Sequence, residues 1–110
     1  MSVLEQGDVI RINFTPAVGH EPAMSHPSVV ASVFEFNVRS SLVMVIPITR
    51  IDTGYPLHVR VDGAGVRGYA CVEQMPLLDV QQRGYEILGP VDDVTLREIV
   101  TRLRSVFALK

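Results

Sequence analysis

A chain of 110 residues that is 47% hydrophobic, with a formal net charge of −2, carries enough apolar side chain for one ordinary folded domain spanning 1–110. The charge argues against a globally basic surface made for nucleic acid, and a single cysteine, Cys71, excludes an internal disulfide and suits a reducing compartment. The most apolar run, Leu42 to Ile48, is far short of the ~18 residues that span a bilayer. Met1 to Glu5 lack the basic and apolar features of a targeting signal, so the expectation is a cytoplasmic protein that enters no membrane.

In chain order, Asp8 to Phe14 alternates apolar and polar residues, and Ser28 to Val33 is more continuously apolar. Both read as strands, the second more buried than the first. They flank a connection, Thr15 to His26, that carries His20, Glu21 and His26. Three titratable groups on one connection between rigid strands mark the first place to look for chemistry. Further β-type runs are Leu42 to Ile48, Tyr55 to Val61, Gly68 to Gln74 and Gly84 to Leu88. Asp62-Gly63, inside the turn Val61 to Val66, suits the positive φ of a tight hairpin and predicts pairing of the strand ending near Val61 with one beginning near Arg67. Several short strands with frequent turn residues predict a small barrel or sandwich.

The period then changes. Pro90 followed by Asp92 and Asp93 is a helix start, and Leu96, Ile99, Val100, Leu103 and Phe107 recur at three- and four-residue steps. Asp92 to Ala108 is therefore predicted as an amphipathic helix packed on the barrel or on a second subunit. Cys71 reads as a small apolar strand residue. Tyr55, Tyr69, Phe34 and Phe36 could stack on splayed bases, but are read mainly as core.

Gly7-Asp8-Val9-Ile10, Phe14-Thr15-Pro16, Gly19-His20-Glu21, His26-Pro27 and the strand after it follow one another in an order that resembles the amino-terminal signature of the MazF/PemK toxins. Val45-Ile46-Pro47-Ile48-Thr49 is similar to that family's Val-Pro-x-Thr/Ser strand end, and Glu73-Gln74 to its Asp-Gln. The resemblance runs from Gly7 to about Asp79. It implies a mainly β fold with a C-terminal helix, a small SH3-like β-barrel, that forms a homodimer. It also implies cleavage of single-stranded RNA at short sequences, without metal or other cofactor, and neutralisation by a cognate antitoxin. Pro22 replaces the family's Gln, His26 its Arg and Glu73 its Asp, while Cys71 stands where one branch has a catalytic Arg.

Metal-free RNA cleavage needs a base for the 2′-hydroxyl proton, an acid for the leaving oxygen and a donor or cation for charge building on phosphorus. Glu21 and His20 are candidate bases, His26 an acid or cation, and Thr49 a neutral donor; the resemblance implies functional roles for Glu21, His26 and Thr49. Histidine in place of arginine exchanges a permanent charge for a conditional one, predicting cleavage that weakens as pH rises. Nine of the ten basic residues are arginines, a side chain suited to bidentate phosphate contacts, and Arg11, Arg50 and Arg83 are candidates for them, with Glu73 beside the RNA. A zinc triad of His20, His26 and His58 fits no common spacing. The competing readings are a binding module on the same barrel, retaining only antitoxin binding or poisoning a topoisomerase as the related CcdB toxins do, and an unrelated interaction domain.

Overall fold

β1 (Asp8–Asn13) buries Val9, Ile10 and Ile12 and exposes Arg11, and the two faces of this strand enter two different cores. The computed structural model describes residues 4–13 and 25–108. After β1 come β2 (Ser25–Val30), α1 (Phe34–Arg39), β3 (Val43–Thr49), β4 (His58–Gly63) and β5 (Val66–Cys71). A 3-10 turn at Val72–Gln74, β6 (Leu77–Leu78), α2 (Val80–Arg83), β7 (Tyr85–Pro90) and α3 (Asp93–Val106) complete the chain.

All strand pairs are antiparallel, in the order β4-β5-β3-β2-β1-β7, with β6 also paired to β3. The expected small barrel takes the form of a curled half-barrel sheet, with β4 and β7 at its edges. Curling buries both faces. Val9, Val29, Ile46, Ile48, Val59, Val61 and Ala70 pack with Ile99 of α3, while Ile10, Ile12, Val30, Val43 and Val45 pack with Leu4, Leu78 and Val80 on the other side. Strand side chains alternate between faces, so adjacent apolar residues can serve two cores.

β2 begins earlier than its apolar run suggests, because its limits follow pairing rather than hydrophobicity: Asn13 faces Ser25, Ile12 faces His26, and Val30 faces Val45. His26 therefore sits on a strand, not in the connection before it. Past Val30 the chain leaves the sheet for α1, which the sequence pattern does not announce. Asn37 anchors that helix: fully buried, it donates to the carbonyls of Leu4 and Ser32 at 3.0 Å each, and its side-chain oxygen accepts from the Ser32 hydroxyl. Phe34 and Phe36 lie outside the core, Phe34 being 44% exposed, because α1 turns its buried side toward Asn37.

The β4–β5 hairpin pairs Val61 with Gly68 and Gly63 with Val66. The strand partners are those expected, but the positive φ values fall on Ala64 (52°) and Gly65 (74°) rather than on Asp62-Gly63. Positive φ at both central residues is the type I′ geometry, whose twist matches the flanking strands. From this turn the ladder runs to His58 and Cys71, which are direct partners.

α3 matches its predicted span to within two residues at each end. The Asp92 carboxylate caps it by accepting from the Thr95 N–H at 2.7 Å, which holds that exposed carboxyl below its ordinary range. Ile99 is fully buried, whereas Phe107 lies 70% exposed beyond the last helical turn. No helix among the described residues is long and apolar enough to cross a membrane.

Candidate functional site

An open groove of about 1390 Å³ runs along the sheet between the β1–β2 hairpin and the β4–β5 hairpin. Its described lining includes His26, Thr49, His58 and Tyr69 together with Arg11, Arg50, Arg60 and Arg67, against a single carboxylate, Asp62. The chain is net acidic, yet this surface is locally basic. Arg60 and Arg67 approach Asp62 at 3.8 and 3.5 Å, exposed pairs of the kind worth ~0–1 kcal/mol, so their charge remains available to a polyanion. Arg11 and Arg50 form no ion pair among the described residues.

The strand ladders bring His26 and Thr49 together. β2 and β3 pair Ser28 with Pro47 and Val29 with Ile46; His26 and Thr49 each lie two residues beyond the Ser28–Pro47 pair, on the same strand faces as those residues, and both line the groove. Thr49 Oγ1 accepts the Ile51 N–H at 3.2 Å, which leaves its own proton for donation. On the other edge Thr49 pairs with Tyr69, and Gly68 lies close beneath: a Cβ built there would fall onto the Thr49 carbonyl oxygen and 2.8 Å from Ile48 Cγ2.

One wall carries a cluster that sequence reasoning missed. His58 Nε2 meets Glu73 Oε2 at 2.9 Å, Thr53 Oγ1 lies 3.3 Å from His58 Nδ1, and the Tyr55 ring packs edge-on against the imidazole with centroids 5.4 Å apart. The His58 side chain is only 10% exposed. Burial pushes the Glu73 carboxyl up, but the hydrogen bond and charge of His58, with bonds from its own backbone and Gln74, outweigh this and hold it below the usual value. The buried Cys71 thiol is pushed up by desolvation and then by the Glu73 charge, against a backbone hydrogen bond from Thr49. The ligand atoms of His58, Cys71 and Glu73 lie within 4.8 Å of one another.

The remaining expected residues divide. His20 and Glu21 lie outside the described residues. Arg83 is absent from the groove's described lining, and its Nη1 donates to the Asn13 carbonyl at 3.0 Å, tying α2 to the end of β1. Glu73 is likewise not a lining residue and is engaged with His58. Arg60, Arg67 and His58 do line it; the sequence signal for the arginines was their place on facing strands of one hairpin.

Residues 5–107 match the family described as the PemK-like, MazF-like toxin of type II toxin-antitoxin systems. The Escherichia coli K12 endoribonuclease toxin MazF is 31% identical over 101 residues, covering 92% of this chain and 91% of that protein. The endoribonuclease toxin ChpB of the same strain is 30% identical over 111 residues, covering 96% and 95%. Among solved structures, Deinococcus radiodurans MazF superimposes with a TM-score of 0.84 at 29% identity, covering 99% of this chain and 100% of that one. A MazE-MazF structure from the same organism gives 0.85 at 27% identity with the same coverage.

Proposed function

Since the chain belongs to the PemK-like, MazF-like toxin family, we propose that it is the toxin of a type II toxin-antitoxin pair, an endoribonuclease that cuts single-stranded RNA by attack of the 2′-hydroxyl. The observation that supports this reading is the presence of His26 and Thr49 together in a groove lined by four arginines. Arg11 and Arg50 hold the phosphates of the bound strand. Glu21, assisted by His20, takes the 2′-hydroxyl proton as the 2′-oxygen bonds to phosphorus. Thr49 donates to a non-bridging oxygen where charge accumulates. His26 as imidazolium balances that charge and gives its proton to the departing 5′-oxygen as the P–O5′ bond breaks. The products are a 2′,3′-cyclic phosphate and a 5′-hydroxyl end, and the need for a 2′-hydroxyl restricts the reaction to RNA.

The partner is a cognate antitoxin, as in the MazE-MazF structures of relatives, laying an extended acidic segment along the basic groove. The toxin works as a cytoplasmic homodimer, for which the exposed Val106 and Phe107 at the end of α3 supply apolar surface. The test is incubation of the purified protein with mixed-sequence RNA in excess chelator, beside His26→Ala and Thr49→Ala. Discrete cuts ending in cyclic phosphate, from the wild type alone, are expected. Intact RNA from a folded wild-type protein that still binds its antitoxin would leave a binding module instead.

A further inference from the structure

We propose that His58, Cys71 and Glu73 form a binding site for a borderline-soft divalent cation of the Zn²⁺ class in the wall of the groove. The hairpin register carries the argument. His58 on β4 and Cys71 on β5 are direct cross-strand partners, which places their Cβ atoms about 4.5–5.5 Å apart on one face. The 3-10 turn that follows β5 then folds Glu73 back onto His58. Two ligands are thus fixed by the ladder and the third by the turn.

The donor set of one nitrogen, one sulfur and one carboxylate oxygen is that of Zn²⁺ and of its spectroscopic substitute Co²⁺. A tetrahedral site with bonds of ~2.0 Å to nitrogen and ~2.3 Å to sulfur sets neighbouring donors about 3.5 Å apart. The three donor atoms already lie within 4.8 Å of one another, so side-chain rotation of about 1 Å closes the site while the 2.9 Å His58–Glu73 contact opens slightly. Thr53 engages Nδ1 of His58 and leaves Nε2 turned toward Glu73, the arrangement in which an outer hydroxyl or carbonyl orients a metal-binding imidazole. With three protein ligands the fourth position opens toward the groove that His58 and Cys71 line. Cys71 binds as the thiolate, its proton passing to water. Glu73, expected from the sequence beside the RNA, is absent from the groove's described lining, and none of the three residues takes a step in the proposed cleavage, which stands or falls separately.

The test uses the full chain, freed of metal by chelation and desalted, titrated with Co²⁺ and Zn²⁺. One Co²⁺ per chain with a thiolate-to-cobalt charge-transfer band is expected, and Cys71→Ser should abolish that band and weaken Zn²⁺ at least tenfold. Glu73→Gln, which leaves the buried Cys71 and the apolar core untouched, should weaken Zn²⁺ by a similar factor and serves if Cys71→Ser misfolds. Absence of the charge-transfer band in the wild type, or Zn²⁺ affinity unchanged in Glu73→Gln, would overturn the site and leave a histidine–carboxylate pair beside a buried thiol.

Discussion

His26 on β2 and Thr49 on β3 each lie two residues past the Ser28–Pro47 pair that ends the β2–β3 ladder, and both line the same groove. A proton donor and a neutral hydrogen-bond donor reach one phosphate only if the strands hold this arrangement. Each of His26→Ala and Thr49→Ala should lower the cleavage rate on the order of 100-fold or more, with the melting temperature little changed. His26→Arg should retain the charge balance at phosphorus but lose the proton transfer, leaving cleavage slower than wild type and without the alkaline decline expected of the imidazole, since guanidinium holds both its charge and its proton. A pH profile of single-turnover cleavage decides it; a wild-type rate that rises into the alkaline range would remove His26 from the mechanism.

Gly68 controls where Thr49 sits. A methyl at this position meets the Thr49 carbonyl and Ile48 Cγ2, and backbone cannot swing aside as a flexible side chain does. Gly68→Ala should cost about 1–3 kcal/mol in urea denaturation and also slow cleavage by the protein that remains folded. Full activity per folded molecule would mean that the β3–β5 contact does not position the hydroxyl.

Arg11 and Arg50 should act through charge alone. Replacing either with Ala should weaken binding of uncleavable single-stranded RNA irrespective of sequence and reduce the slope of log affinity against log salt by ~0.7, the value for one lost phosphate contact. Binding measured at several salt concentrations gives the slope; a slope equal to that of wild type would show that the residue touches no phosphate.

Glu73 supplies a pH-dependent element of stability. Its carboxyl lies below its ordinary value of 4.5 in the folded protein, so its contribution is complete above that value and is lost as pH falls through the lowered folded value. The stability difference between wild type and Glu73→Gln should be constant near neutrality and shrink in acid. Urea denaturation at a series of pH values measures it, and a difference that grows on acidification would reverse the assigned sign.

Local pattern alone determined a good part of this protein. The alternation in β1, the three- and four-residue spacing of Leu96, Ile99 and Leu103, and the Asp92 cap are properties of neighbouring residues, and so are the short strings that mark the family. The apolar stretch before α1 extended the expected second strand too far, and the four aromatics read mainly as core include Phe34, Phe36 and Tyr55, which remain exposed. Hydrophobicity announces burial without saying which face a partner covers. Only the tertiary structure decided that His26 and Thr49 share one groove, that Arg60 and Arg67 join Arg11 and Arg50 around it, and that His58, Cys71 and Glu73 converge. Those relationships depend on strand register, and a shift of a single residue sends a side chain to the opposite face of the sheet. Register is fixed by ladders between segments distant in the chain, where no local spacing records it.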